Sequence, residues 1–353
     1  MTNVKNNSLN LFDYATSELS QDAFLCWLLA HHPICQNEDS EIKDKDISQC
    51  AENLLNELLG KHSTELGKIT ELEIKRQYKK IDILVIINKK YGLIIEDKTD
   101  TSEHGNQLGK YFKVVEEKGL IPLGIYFKTG DELKRDEIKR DKIKRDEIKR
   151  DEIKNKSDED IEYTYKTFYR DELLEVLKKH KTKNDIFTSF YNRLDKFEED
   201  YKSYENNKVA DWSSRAWSGF FHNKLYKNDR QNFDKFWYGY VPNRSGGFLC
   251  FAWEFRYIDK IKVYFQFEIR KVGNTMNPIL VVKTSCENKP LPDVALNKID
   301  EYIGKDLWKK FKRRRSDGKT SSRLIYILED LNNMEYGELI ESIEKATKSF
   351  DLK

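Results

Sequence analysis

A buried strand that ends in charged residues is the feature that most restricts how this chain can fold. Residues 92–98 read Gly-Leu-Ile-Ile-Glu-Asp-Lys, and the apolar run is typical of a strand covered on both faces. Charged side chains at the end of such a strand are costly to bury unless they are paired or used. The preceding run, residues 81–87, reads Ile-Asp-Ile-Leu-Val-Ile-Ile and carries Asp82 near its start.

The spacing of the two runs predicts a β-hairpin that brings three charged side chains together. Thirteen residues separate Asp82 from Glu96, which is enough for one strand, a tight turn and a returning strand beside it. Side chains alternate along a strand, so Glu96 and Lys98 share one face, whereas Asp97 points to the other. The carboxylates of Asp82 and Glu96 should therefore meet across the hairpin, with the ammonium group of Lys98 beside them.

These groups suit a hard divalent cation. Mg²⁺ takes carboxylate, backbone carbonyl and water oxygens, and it usually keeps several waters when it binds phosphates. The pattern predicts that Asp82, Glu96 and the backbone carbonyl of Asp97 bind Mg²⁺, for which Mn²⁺ can substitute. Lys98 would lie next to a metal-bound water and lower its pKa, or stabilise the charge that develops as the water attacks phosphorus. A strand that simply emerges into solvent is the ordinary alternative for these charges taken alone.

At these residues the chain resembles the PD-(D/E)XK nuclease superfamily, and two further elements carry the likeness. Gln107 and Tyr111 form a Gln-x-x-x-Tyr pair similar to the one that marks RecB-like members. Residues 18–29, which read Glu-Leu-Ser-Gln-Asp-Ala-Phe-Leu-Cys-Trp-Leu-Leu, resemble the family's first helix. The resemblance covers about residues 10–180. It implies that Glu18 completes the metal site and that Gln107 and Tyr111 help to position the DNA backbone and the lysine.

Three other polar residues near these motifs have two interpretations each. Asp22 follows Glu18 by one helical turn and could be the acid of the site instead, or a solvated residue near the helix start. Glu73, on the predicted preceding strand, could line the cleft, although a surface position is the simpler interpretation. His104 lies just before the helix of Gln107 and could touch phosphate, although a lone histidine in a loop is more often exposed.

The order of apolar patterns predicts an α/β fold, with a mixed central sheet flanked by helices like that of restriction endonucleases. The predicted elements are strands near 69–76, 81–87, 92–98 and 120–127, and helices near 18–30, 50–59, 104–118 and 172–178. A connecting helix is predicted across 184–201. The nuclease-like domain is therefore placed at residues 1–200.

A charged repeat interrupts this domain. Residues 131–155 are five pentapeptides close to Asp-Glu-Ile-Lys-Arg, in which the apolar residue recurs every five positions. At about 100° per residue, each step turns the apolar position by about 140°, so no continuous apolar stripe forms. Because acids precede bases by three or four residues, the pattern favours a solvated helix held by weak ion pairs. The insertion is interpreted as a projecting arm or a mobile loop.

The composition changes after about residue 205. Five of the six tryptophans lie there, and the runs 248–255, 262–268 and 278–283 resemble antiparallel strands. The sequence predicts an aromatic-rich α+β accessory domain over 201–353, whose rings form a core or in part stack on bases or a ligand. The basic run 308–315 could neutralise phosphates, or it could simply end a solvated helix.

Composition limits the classes of function. The net charge of +2 is too small to indicate nucleic-acid binding by itself, so any positive surface must be local. The five cysteines include no Cys-x-x-Cys pair, which argues against structural zinc and fits a reducing cytoplasm. No signal peptide or long apolar span occurs, so we expect a cytoplasmic protein that does not bind membranes.

Together these patterns predict a Mg²⁺-dependent endonuclease that hydrolyses phosphodiester bonds in DNA, with the C-terminal domain selecting the substrate or sensing a trigger. The resemblance to stand-alone bacterial nucleases implies a role in defence against phages or plasmids. One alternative is a non-catalytic module that keeps the nuclease fold to bind nucleic acid or protein. Another is an interaction protein built around the repeat. A homo-oligomer, or a partner protein bound through the C-terminal domain, stays open.

Overall fold

The structure, a computed structural model, divides the chain into two units, Met1–Glu198 and Glu199–Lys353. The described residues are 10–35, 44–62, 67–99, 107–131, 137–139, 164–226, 237–243, 246–258, 261–273, 275–285, 312–313, 322–328 and 331–351. His104 and most of the basic run 308–315 lie outside them.

A mixed sheet forms the centre of the first unit. Its strands are β1 (Leu72–Tyr78), β2 (Ile81–Ile87), β3 (Tyr91–Lys98), β4 (Ile121–Lys128), β5 (Glu137–Lys139) and β6 (Thr164–Tyr169), in the spatial order β1-β2-β3-β4-β6-β5. The first three strands are antiparallel, and β3, β4 and β6 run parallel to one another. Because β3 lies between β2 and β4, its charged carboxyl end is in the middle of the sheet rather than at an edge.

Helices cover both faces of this sheet, as the α/β prediction requires. They are α1 (Glu18–Leu29), α2 (Lys45–Gly60), α3 (Gln107–Glu116), α4 (Arg170–Leu177) and α5 (Asp185–Lys202). The face with Ile83 and Ile95 packs against α1, α2, α4 and the first half of α5. The opposite face, with Leu84 and Ile94, packs against α3. The predicted mixed sheet flanked by helices is therefore confirmed.

The repeat differs from its prediction where the structure describes it. Residues 137–139, from the second pentapeptide, form the edge strand β5, which pairs antiparallel with β6 rather than continuing a solvated helix. The helical prediction rested on ion pairs worth only tenths of a kcal/mol each. Such pairs compete poorly with the unpaired backbone groups that the edge strand β6 offers. Residues 132–136 and 140–155 lie outside the described residues.

The second unit contains an antiparallel sheet and a largely aromatic core. The strands are β7 (Trp237–Val241), β8 (Phe248–Ile258), β9 (Ile261–Val272), β10 (Thr275–Ser285), β11 (Lys312–Arg313) and β12 (Ser322–Leu328), and the α-helices are α6 (Ser214–Phe220) and α7 (Tyr336–Asp351). Trp212, Trp217 and Trp253 are buried in this core, so these three rings pack in the core rather than stack on bases or a ligand. Trp237 is exposed. Among the described helices, none is both long and apolar enough to cross a lipid bilayer.

Candidate active site

The two carboxylates and the ammonium group predicted to converge do so at the carboxyl end of β3. In the β2–β3 hairpin Ile83 pairs with Ile95, which places Asp82 opposite Glu96. The Nζ atom of Lys98 lies 2.8 Å from Oε1 of Glu96, whose side chain is fully buried. The backbone amide of Asp97, which lies between Glu96 and Lys98, donates a hydrogen bond of 3.1 Å to Oδ2 of Asp82.

The site is short of positive charge. Burial raises the pKa of Glu96 to about 7; the charge of Asp82 adds to this effect, whereas the hydrogen bond and charge of Lys98 oppose it. No donor among the described residues reaches Oε2 of Glu96. Burial lowers the pKa of Lys98, but the hydrogen bond and charge of Glu96, together with the charges of Asp82 and Glu18, outweigh it, so that the pKa is raised overall. Among the described residues, one ammonium group therefore faces two carboxylates.

Glu18, the acid expected from the first helix, lies at the Lys98 end of the site. Its Oε1 atom accepts a hydrogen bond of 3.0 Å from the backbone amide of Thr99. Its charge also contributes to the raised pKa of Lys98. Glu18 thus ties the start of α1 to the residues that follow β3, and it adds a third acidic group near the lysine.

Asp22, the alternative acid on α1, is connected to Asp82 by a shared donor. The side-chain amide of Gln77 donates hydrogen bonds of 3.0 Å to Oδ2 of Asp22 and 3.1 Å to Oδ1 of Asp82. Burial raises the pKa of Asp22 to about 6, and the negative charge of Asp82 adds to the shift. Of the two acids on α1, Asp22 shares a donor with Asp82 and Glu18 lies beside Lys98.

Gln77 reaches both carboxylates because its backbone leaves the regular strand. Its φ is +52°, a left-handed conformation that non-glycine residues seldom adopt. The pairing of β1 with β2 accordingly passes from Arg76–Ile83 to Tyr78–Ile81 without a Gln77–Asp82 pair. This residue was not identified from the sequence, although a tight turn between β1 and β2 would place position 77 opposite Asp82.

Asp97 points to the opposite face of β3, as the alternation of side chains predicts, and enters a buried polar network. The side-chain amide of Gln21 donates a hydrogen bond to Oδ1 of Asp97, and the hydroxyl of Thr129 donates one of 2.7 Å to Oε1 of Gln21. Burial is the main reason that the pKa of Asp97 is well above its usual range, and the neighbouring Asp22 carboxyl raises it further. Asp97 therefore joins β3 to α1 through Gln21.

Comparison with known protein families identifies the group to which this site belongs. A family model described as the PD-(D/E)XK nuclease superfamily matches residues 7–192, more than half of the chain. The chain belongs to the PD-(D/E)XK nuclease superfamily. Proteins of this superfamily are generally metal-dependent nucleases. No curated protein and no solved structure matched the chain.

The Gln-x-x-x-Tyr pair, which would mark a RecB-like member of the superfamily, stays a prediction. Helix α3 begins at Gln107, whose side chain is outside the described part of the structure. Tyr111 is buried in the cluster between α3 and the sheet, where Leu84 and Ile94 also pack. Glu73, the other residue left open, is exposed on β1 and lies 2.8 Å from the ammonium group of Lys75. That contact supports its surface interpretation.

The residues at the end of β3 fit the divalent cation that the superfamily uses. A cation between Asp82 and Glu96 would satisfy the Oε2 oxygen that lacks a donor and favour the ionised form of Glu96. Within the described ranges, no three Asp, Glu, His or Cys side chains converge to enclose a metal ion. A cation held here would need backbone and water oxygens as well, which is the usual behaviour of Mg²⁺.

Proposed function

We propose that this chain is a Mg²⁺- or Mn²⁺-dependent endonuclease that hydrolyses phosphodiester bonds in DNA. One observation carries the proposal: Asp82 faces Glu96 at a buried strand end, and the ammonium group of Lys98 lies 2.8 Å from Glu96. Burying two like charges together is unfavourable unless a counter-charge binds. A cation that also binds the substrate phosphate is such a counter-charge.

The proposed roles follow from where each group lies. Asp82, Glu96 and the backbone carbonyl of Asp97 hold the cation, and Glu18 assists from α1. When bound, the cation would polarise the scissile phosphate and lower the pKa of a water that it holds. Gln107 and Tyr111 position the DNA backbone, by the resemblance to RecB-like members.

Lys98 acts in this scheme through its charge rather than by accepting a proton. Its pKa is raised, so the side chain stays protonated at neutral pH. A fixed ammonium group beside the reacting phosphate stabilises the negative charge that builds up as water attacks phosphorus. Because Lys98 is held by Glu96 before any substrate arrives, little reorganisation is needed during the reaction.

We also propose that the C-terminal unit selects the substrate or senses a trigger, and that the enzyme acts in the cytoplasm against phage or plasmid DNA. The resemblance to stand-alone bacterial nucleases supports this role. The second candidate function is a non-catalytic module that binds nucleic acid or protein. It is favoured by the complete burial of Glu96, which leaves this carboxylate closed to solvent while it is paired with Lys98.

A cleavage assay separates the two candidates. We expect a supercoiled plasmid to be nicked and linearised with Mg²⁺ or Mn²⁺ and to stay intact with a chelator, since the carboxylates need a cation to act on phosphate. Parallel reactions use linear duplex DNA, single-stranded DNA and RNA. Binding without cleavage of any substrate would support the non-catalytic module. Cleavage of linear DNA but not of the circular plasmid would show that the protein is an exonuclease rather than an endonuclease.

A substitution of Gln77 tests whether this residue holds Asp82 for the cation. In Gln77→Gly the amide is lost, but glycine adopts the left-handed backbone freely, so the free energy of unfolding should stay within about 1 kcal/mol of the wild-type value. The Mg²⁺ concentration for half-maximal cleavage should rise about tenfold, as for other residues that orient a metal ligand.

Lys80→Gly is the matched control for this test. Lys80 is exposed, has a φ of +74° and lies in the same hairpin, so glycine relieves the same backbone strain without removing a contact to Asp82. Its Mg²⁺ requirement should equal that of the wild-type protein. An unchanged Mg²⁺ requirement in Gln77→Gly as well would show that Gln77 does not position Asp82.

A further inference from the structure

Three lysine side chains surround the ring of Tyr78, next to the turn that precedes Asp82. The Nζ atoms of Lys118, Lys75 and Lys79 lie 4.9, 5.5 and 5.9 Å from the centroid of this ring. At such distances an ammonium group is attracted to an aromatic face. Lys75, Lys79 and Lys118 are called the basic cluster below.

Within the part of the chain that the structure describes, the ion pairs with Glu73 and Glu117 do not balance the charge of the basic cluster. Lys75 lies 2.8 Å from Glu73, but Lys79 is 4.0 Å from Glu117, and both partners of the second pair are largely exposed. Exposed pairs at this distance contribute little. Lys118 makes no ion pair with any described residue. Like charges gathered around one ring repel each other, so the cluster favours the approach of an anion.

The basic cluster lies on the same face of the sheet as Glu96. Tyr78 packs against the hydrophobic cluster that contains Leu84 and Ile94. Ile94 is two residues from Glu96 on β3, so these two side chains point to the same face. Tyr78 also pairs with Ile81, the residue directly before Asp82.

We propose that the basic cluster binds backbone phosphates of the nucleic acid next to the phosphate that is cleaved. The proposal rests on the proposed function, because it places the cluster beside that reaction. A lysine binds a phosphate as a mobile point charge. Contacts to phosphates do not read the bases, so the basic cluster should add affinity without sequence preference. The net charge of the chain is only +2, so a local surface of this kind is needed to attract a polyanion.

The turn that follows β2 provides a matched control for the turn that precedes it. Lys89 has a φ of +52° and an ion pair of 2.9 Å with Glu71, and Lys90 lies 4.8 Å from the ring centroid of Tyr91. These features parallel those of Lys79, whose φ is +48°, and of Lys118. The two turns are separated by the length of β2, about 20 Å at a rise of about 3.4 Å per residue.

The experiment compares the double variants Lys79→Glu/Lys118→Glu and Lys89→Glu/Lys90→Glu, which change the net charge equally. Both are made in an Asp82→Asn background so that the nucleic acid stays intact. Fluorescence anisotropy with labelled duplex DNA, single-stranded DNA and RNA gives Kd between about 0.05 and 0.2 M salt. For the first variant we expect at least a tenfold loss of affinity at low salt. The slope of log Kd against log salt concentration should fall by about two, one for each lysine.

The second variant should keep both the affinity and the slope of its parent. Equal losses in the two variants would reduce the effect to net charge and overturn the proposal, and so would no loss in either. Binding of polyglutamate is measured in the same way. If Lys79→Glu/Lys118→Glu loses as much affinity for polyglutamate as for nucleic acid, the cluster is assigned to an acidic protein partner instead. Thermal unfolding of each variant checks that the fold is kept.

The test distinguishes this proposal from the proposed function. If the wild-type protein cleaves nucleic acid but the two double variants bind alike, the cluster assignment fails alone. If no nucleic acid is cleaved but only Lys79→Glu/Lys118→Glu binds weakly, the endonuclease proposal fails and the cluster is a nucleic-acid contact of a binding module.

Discussion

Replacing Asp82 by asparagine is expected to reduce the rate of DNA cleavage at least about 100-fold and to stabilise the metal-free protein at pH 8. Asparagine keeps an oxygen that can accept the hydrogen bond from the backbone amide of Asp97, but it removes the negative charge opposite Glu96. That charge is the second largest cause of the raised pKa of Glu96, after burial. The substitution therefore weakens the cation site and relieves repulsion in the same step.

Both effects are measurable with the same protein sample. Cleavage is followed as the rate of plasmid nicking at saturating Mg²⁺, and stability as the midpoint of thermal unfolding in chelator. Glu57→Gln, which neutralises an exposed acid on α2, is the control and should change neither quantity by much. If Asp82→Asn cleaves at the wild-type rate, Asp82 is not a ligand of the cation and the proposed mechanism is wrong.

The convergence of Asp82, Glu96 and Lys98 could be predicted because it depends on local geometry alone. Strand alternation fixes which side chains share a face, and the short connection between β2 and β3 fixes which residues lie opposite each other. The same alternation placed Asp97 on the other face, where it is found. Predicting the hairpin from the sequence was therefore enough to predict which of these side chains lie together.

The partners supplied by α1 could not be predicted in the same way. Whether Glu18 or Asp22 lies nearer Asp82 depends on how the helix docks on the sheet, and residues one turn apart give no local signal for this choice. Gln77 reaches both acids through an unusual backbone conformation, which the hydrophobic pattern does not encode. The contact between Gln21 and Asp97 likewise joins residues that are far apart in the sequence.

The stability of the metal-free protein is expected to decrease as the pH rises from about 4.5 to about 7, relative to the variant Glu96→Gln. A glutamate in the unfolded chain has a pKa of about 4.5, and burial with the neighbouring Asp82 raises the pKa of Glu96 to about 7 in the folded protein. Between these values the folded state binds a proton that the unfolded state has released. The contribution of Glu96 to stability is therefore fully present below the pKa of the unfolded chain, and it is lost as the pH passes the pKa of the folded protein.

The expected size of this loss follows from the two pKa values. At about 1.4 kcal/mol for each pH unit between them, ionising Glu96 lowers the free energy of unfolding by about 3 kcal/mol. The variant Glu96→Gln cannot ionise at this position, so subtracting its stability curve removes most of the contribution of other acids. Chemical denaturation in chelator at several pH values gives both curves. A wild-type curve that rises against the variant through this window would contradict the assigned shift.

Added cation should reverse the loss, and this links the pH dependence to the site. Mg²⁺ or Mn²⁺ binds the ionised carboxylates, so it should raise the unfolding midpoint strongly at pH 8 and little at pH 5, where Glu96 is protonated. In Glu96→Gln the stabilisation at pH 8 should be much smaller. Equal stabilisation of the wild-type protein and this variant would place the bound cation elsewhere. A stabilisation that is lost in both Glu96→Gln and Asp82→Asn would instead locate the cation between the two carboxylates.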